Sequence, residues 1–378
     1  MNIKESYIID GVRSPIGTKN GNMLGIRPDD LAALTIKDLL LRNKNIIKDK
    51  IEDISIGCAF PEGPQGMLVS KGISVLSGLP VSVAANVINR FCGSSMDAVH
   101  NISRAIGVND INLGIAGGVE DMFSVPMGGF NPSFNPILYD KDFYINMGET
   151  AENLAKELSI NRSDQEEFSI DSHKKAINAI NEGLFKEEIV PIHFNEKLIE
   201  NDEGPRIPDI EKMKSLDPAF DSSGTITAAT SSPISIGSAM LLLASKEGIL
   251  DSNLKPKFKI ISRSVAGVEW THMGKGPIPA TERALKNAGL NINDIDAIEL
   301  NEAFAAQSLY VIRKMNLDVD IININGGAIA LGHPLGCSGS RILITLMNVM
   351  EQNDFNLGLA TMCIGSGQGI ATIIERVN

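Results

Sequence analysis

Paired cysteines are missing from this sequence. Its four, Cys58, Cys92, Cys337 and Cys363, form no CxxC pair and lie far apart, a pattern that disfavours a zinc site or a disulfide framework and suits reduced thiols. A basic surplus is missing too. Thirty-four basic residues against 46 acidic ones give a net charge of −12, so no nucleic-acid partner is expected, although a local basic patch could still receive an anionic ligand. No apolar run approaches the ~18 residues of a membrane span. An apparent strand at Tyr7–Ile9 leaves no room for a signal or transit peptide. These absences lead us to expect a cytoplasmic protein with no bound metal.

What is present describes a well-packed α/β chain. Of 378 residues, 43% are hydrophobic, 21% are charged and 35 are glycine, enough for two or three domains of ~150 residues each. Asp29 and Asp30 open a helix carrying Leu31, Leu34 and Leu39, and Ile51–Ile56 reads as the next strand. NDINLGIA at 109–116 returns as NDFNLGLA at 353–360, Ile51–Ile54 is echoed at Ile292–Ile295, and Cys92 is echoed by Cys337. A common separation of roughly 240–245 residues is too long for a solenoid and points to two copies of one α/β unit.

The segment between the copies has another character. PMGGFNPSFNP at 126–136 has turn chemistry. Ser163 with Glu166 reads as a capping box for a helix whose apolar face is Phe168, Ile177, Ile180 and Leu184. Residues 195–224 are charged, contain proline and are loop-like. We therefore expect a first domain over 1–118 completed by 240–264, an inserted lid over 119–239, and a second domain over 265–378.

Four stretches carry chemistry. INRFCGSS at 88–95 puts Cys92 before Met96, Val99, Ile102 and Ile106 at helical spacing, a strand-to-helix turn whose free N–H groups should draw the thiol below its usual ~8.5. Asn301-Glu302-Ala303-Phe304 follows an apparent strand at 297–300, the end at which open α/β sheets present their sites. GGAIALGHPLG at 326–336 holds His333 out of helical geometry, because Pro334 disfavours the helical region for the residue before it. Cys363-Ile364-Gly365-Ser366-Gly367 is expected directly after a strand. Taken alone, a buried cysteine or histidine is more often structural, and Cys58, Cys337, His100, His173, His193 and His272 are read that way.

In order and spacing, NRFCGSS, NEAFAAQS at 301–308, NGGAIALGHPLGCSG at 325–339 and ATMCIGSGQG at 360–369 resemble the signatures of the thiolase family over nearly the whole chain. They are most similar to those of degradative 3-ketoacyl-CoA thiolases of fatty-acid β-oxidation. The resemblance implies the thiolase fold, two βαβαβαββ halves in a five-layered α-β-α-β-α stack with an inserted loop domain. It implies Cys92 as nucleophile, His333 as its base and Cys363 as the second proton carrier. Asn301 would hold a water at the enolate, and the N–H groups of Cys92 and Gly365 would meet the tetrahedral oxyanion. Coenzyme A is implied as co-substrate, with no permanently bound cofactor.

Within TAATSSPISIGSAM at 227–240, Ser232 aligns with a serine that contacts the pantetheine arm, and Met147 is a further coenzyme A contact. Ala229, Pro233 and Ile236 depart from the family pattern there. A homodimer and a complex with a hydratase/dehydrogenase subunit are also implied. Asn146 stands where short-chain biosynthetic members carry His, which favours the degradative class. The alternatives are an acetoacetyl-CoA thiolase working in the condensing direction and a non-catalytic acyl-CoA-binding homologue. Decarboxylating condensing enzymes fit less well because of Cys363.

Overall fold

The computed structural model describes residues 3–377. Their strands and helices alternate as β1 (Tyr7–Arg13), α1 (Pro28–Arg42), β2 (Asp53–Gly57), α2 (Val69–Leu76), β3 (Ala84–Ile88), α3 (Ser94–Gly107) and β4 (Leu113–Asp121). The insertion contributes α4 (Met147–Glu157) and α5 (Arg162–Asn181). The chain then returns through β5 (Ser235–Ala244), β6 (Phe258–Gly267), α6 (Pro277–Ala288), β7 (Ala297–Leu300), α7 (Ala305–Met315), α8 (Leu335–Gln352), β8 (Leu357–Ile364) and β9 (Gln368–Arg376). Shorter helices and strands lie in the connections.

Strand order carries the duplication into three dimensions. One half runs β3-β2-β4-β5-β1 and the other β6-β9-β8-β7, so each strand from β2 to β1 finds its counterpart in mirrored order. The inner pairings match: β2 with β4 and β7 with β8 are parallel, whereas β4 with β5 and β8 with β9 are antiparallel. Among the described residues, strand pairing joins the half-sheets only where Tyr7 and Ile8 meet Lys259 and Phe258. Phe258–Ile261, expected to complete the first unit, therefore sits in a strand that follows β9 from Phe258 to Gly267 and touches β1 at two positions.

Three apolar clusters separate the layers. One lies between α1 and α2 and the outer face of the first half, a second between α6 and α7 and the second half. The third, central cluster holds α3 and α8 between the two halves, giving five layers, α-β-α-β-α. The patterns of α3 and α8 fit these places. In α3, Met96, Val99, Ile102 and Ile106 are buried as their spacing predicted, and α8 is buried without interruption from Leu335 to Met350, as expected of a helix that is apolar nearly all round. β5 is buried at all ten positions, because helices cover both faces.

The inserted segment is tied down by charge. Buried Arg13 on β1 donates from Nε to Glu188 (2.7 Å) and from both terminal nitrogens to Asp202 (2.7 and 2.8 Å), the forked geometry that makes such pairs strong. One sequence expectation fails in this segment, the cap, and another holds in part, since Phe168, Ile180 and Leu184 are half-buried against apolar clusters while the fully buried face is a different one. α5 is capped by Asn161, whose side chain accepts from Asp164 N (2.8 Å), and Glu166 pairs with Arg162 instead of closing a box. Its buried face is Gln165, Ser169, Ser172, His173, Ala176 and Ala179. The reason is proximity: a Cβ on Gly326 would stand 2.7 Å from Ala176 N and Ser172 O, so only small residues fit between.

Candidate active site

Cys92 stands on an elbow. β3 ends at Ile88, Phe91 takes φ +43°, and a single 3-10 turn over Phe91–Gly93 leads into α3. A left-handed aromatic residue costs on the order of 1–2 kcal/mol, and neighbouring bonds offset it. Asn89 Oδ1 accepts from Phe91 N (3.0 Å), and Ser94 Oγ accepts from Arg90 N (2.9 Å) while donating to Phe91 O (2.6 Å). Arg90 then bridges to Asp97 of α3 and Gln368 of β9, both at 2.8 Å, so the second half helps hold the nucleophile's turn.

The thiol is not the depressed one expected. Burial pushes the thiol of partly buried Cys92 up to about 11; the backbone N–H groups of Gly365 and Cys92 oppose that shift, and the charge of Glu120 adds to it. Close packing explains the enclosure: a Cβ on Gly57 would lie 2.2 Å from Ser95 N, and one on Gly93 2.5 Å from Ile364 Cδ1. The Cys363 thiol is driven still higher, first by burial and then by Cys92. Cys363 is not beyond its strand but inside β8, opposite Gly369.

His333 follows Gly332, at φ +115°, and precedes the start of α8. Ser338 Oγ donates to Pro334 O (2.8 Å), so its 2.6 Å contact with His333 Nδ1 is one in which the ring N–H donates to the hydroxyl. That leaves Nε2 with a free lone pair. Burial, with help from Arg341, lowers His333 to about 3, so the ring is neutral. Nε2 faces Asn301 Nδ2 at 3.5 Å, and buried Asn301 Oδ1 has no protein partner. Ser338 was not anticipated; its place one turn into the helix after a histidine was the only signal.

Cys92, Gly365 and Cys363 therefore share one locus, and Asn301 and His333 form a second pair. The starts of α3 and α8 cross closely, since Ser340 N donates to Ser95 Oγ (2.9 Å) and a Cβ on Gly339 would be 2.6 Å from Met96 N. Met147 lies over Gly365, its sulfur 3.4 Å from where a Cβ would be, and packs with Cys363, Phe304 and Phe220. Ser232 is turned to the Asn301 loop: its N and Oγ both donate to Ala303 O at 3.0 Å. Of the departures, Ile236 is wholly buried in the first half's core, where a carboxylate would be unpaired. Ala229 lines a cavity of about 290 Å³ with His173, Arg206 and Lys212. Among the described residues no group of three or more His, Cys, Asp or Glu is placed to hold a metal ion, and no helix is long and apolar enough to cross a membrane.

A duplicated α/β frame that sets Cys92 just before α3 and His333, a neutral imidazole, just before the facing α8 is the frame of an acyltransferase. The chain belongs to the thiolase family: residues 6–247 match "Thiolase, N-terminal domain" and residues 254–376 match "Thiolase, C-terminal domain". Proteins named 3-ketoacyl-CoA thiolase from Acinetobacter baumannii (strain ATCC 17978) and Aeromonas salmonicida (strain A449) are each 46% identical to it. The first aligns over 100% of this chain and 99% of its own, the second over 99% and 100%. The solved acetyl-CoA acetyltransferase of Bacillus anthracis superposes with a TM-score of 0.91 at 33% identity, covering both chains completely.

Proposed function

We propose that the protein cleaves 3-ketoacyl-CoA with coenzyme A, releasing acetyl-CoA and a shortened acyl-CoA through an acyl group carried on Cys92. In this reading His333 Nε2 takes the Cys92 proton and the sulfur attacks C3. The C2–C3 bond breaks, and its electron pair leaves as the acetyl-CoA enolate. Cys363 donates its proton to C2 and its thiolate then takes the proton of the incoming coenzyme A thiol, which displaces Cys92 from the acyl group, and Cys92 recovers its proton from His333. The N–H groups of Cys92 and Gly365 serve the tetrahedral oxyanion, each such donor worth ~3 kcal/mol of barrier; His333 and a water on Asn301 serve the enolate. The observation that carries this is the packing of the Cys92 turn against the strand end that bears Cys363: a Cβ on Gly93 would stand 2.5 Å from Ile364 Cδ1 and one on Gly365 3.6 Å from Phe91 Cδ2.

For coenzyme A we propose Ser232 and Met147 along the pantetheine arm. The cavity with Arg206 and Lys212 supplies the local basic character that an anionic end needs within an acidic protein. The domain reading becomes two α/β units with an insertion over 119–239, the seam falling between β5 and β6. We also propose a cytoplasmic homodimer, able to join a hydratase/dehydrogenase subunit. Its support is an asymmetry of the sheet: β7 is covered at its outer edge by the bridge Ile298–Ile322, while β3 ends the sheet with a partly exposed AANVI edge. A sedimentation mass of two chains is expected, and a one-chain mass at working concentration would remove that part.

The degradative reading is favoured over acetoacetyl-CoA synthesis by Asn146, whose side chain caps α4 through Gly148 N (2.9 Å) where biosynthetic members carry His. Relative thiolysis of acetoacetyl-CoA and a long-chain 3-ketoacyl-CoA tests it. A long-chain kcat/KM at least equal to that for acetoacetyl-CoA is expected. Turnover of acetoacetyl-CoA alone would leave the condensing enzyme as the better description.

A further inference from the structure

Glu120, at the end of β4, is 1% exposed. It has no cation: the buried ion pairs among the described residues engage other acids, Arg13 with Glu188 and Asp202, and Arg341 with Glu299. A buried carboxylate without a counter-charge is costly unless donors surround it, and four do. Oε2 accepts from Ala59 N and Gly336 N, both at 2.7 Å. Oε1 accepts from Gln65 Nε2 (2.6 Å) and Phe60 N (3.2 Å), with the Cys58 thiol at 3.7 Å.

These donors belong to the two sides of the site. Ala59 O receives Asn89 Nδ2 (2.9 Å), and the Phe60 ring lies 5.8 Å from that of Phe91, so residues 59 and 60 back the elbow that aims Cys92. Gly336 is three residues after His333 and two before Ser338, which fixes the ring. The approach is tight enough to require glycine there: a Cβ on Gly336 would stand 2.5 Å from Glu120 Oε2 and 2.7 Å from Cys58 Cα.

We propose that Glu120 is a positioning residue of the acyl transfer, a single carboxylate that sets the spacing between the Cys92 elbow and the His333-bearing start of α8. This rests on the assignment of Cys92 and His333 made above. Its charge adds to the burial that raises the Cys92 thiol. The other titratable groups around the elbow are Cys363 on β8, Arg90 and Asp97 on its own turn and helix, and His333 before α8; the buried thiols of Cys58 and Cys337 also feel the Glu120 charge.

The full-length protein carrying Glu120→Gln or Glu120→Asp tests this. Glu120→Gln removes the charge and turns an N–H donor toward backbone donors. We expect kcat to fall roughly 10–100-fold, as when a group that orients a reacting residue is lost, with the KM for coenzyme A within about threefold. The midpoint of Cys92 alkylation by iodoacetamide, followed by mass spectrometry, should move to lower pH. Glu120→Asp keeps the charge but shortens the reach: kcat should fall similarly with the midpoint unmoved. A folded Glu120→Gln protein with kcat within twofold of the parent, or with an unmoved or raised midpoint, overturns the proposal. Should both variants fail to fold, Gln65→Met removes one donor and keeps the carboxylate; a several-fold loss of kcat supports the role and an unchanged kcat overturns it. Acyl labelling that survives Cys92→Ser would instead overturn the catalytic assignment itself.

Discussion

Cys92→Ser is expected to lower thiolysis by at least ~10⁴-fold and to abolish the mass increase that the parent protein shows when incubated with acyl-CoA. The size follows from the setting of the sulfur. At about 11 the thiol is held protonated by burial, so attack depends on passing the proton to His333, and a hydroxyl would need a far stronger base than a neutral imidazole. The serine should nevertheless preserve the elbow, because the turn is fixed by Asn89, Arg90 and Ser94 rather than by residue 92. An unchanged thermal midpoint alongside lost turnover is therefore the expected pair of results. An acyl adduct at residue 92 in the variant would refute the role, as would full activity.

His333→Ala should cost roughly 10²–10⁴-fold in kcat, the range of a general base, while binding of coenzyme A changes little. Its pH behaviour separates this from loss of packing. Because burial lowers the folded ring to about 3, His333 stays neutral across the working range, and the parent should show no activity limb near the ~6.5 of a free imidazole. The stability sign runs the other way on acidification. Between about 6.5 and 3 the unfolded ring binds a proton that the folded ring refuses, so stability falls with falling pH over that window. His333→Ala should weaken this acid sensitivity. A parent whose kcat/KM falls with a midpoint near 6.5 that disappears in the variant would contradict the neutral-base assignment.

Much of the frame could be read from residues alone. The repeated octamer and the spacing of Met96, Val99, Ile102 and Ile106 gave the paired helices because local periodicity determines which face is buried. The turns that carry Cys92, Asn301 and His333 were legible through the motifs around them. What could not be read depended on distance. The raised thiol of Cys92 comes from enclosure by Ile364, the start of α3 and the charge of Glu120, which no local pattern encodes. The cap of α5 went to Asn161 because both it and Ser163 satisfy the same rule, and the strand holding Cys363 ran two residues further than its glycines suggested.

The mirrored strand order has a consequence for ancestry. Cys92 comes from one copy and Asn301, His333 and Cys363 from the other, so a solitary ancestral unit could oppose two such helix starts only by associating with itself. The present chain is then two subunits joined end to end, each free to specialise once they shared a chain. Ser95 and Ser340 still touch across the old axis of symmetry, whereas Cys337, the counterpart of Cys92, is fully buried beside Gly237. Position 339 should stay glycine, since any side chain there would press on the backbone of Met96 itself.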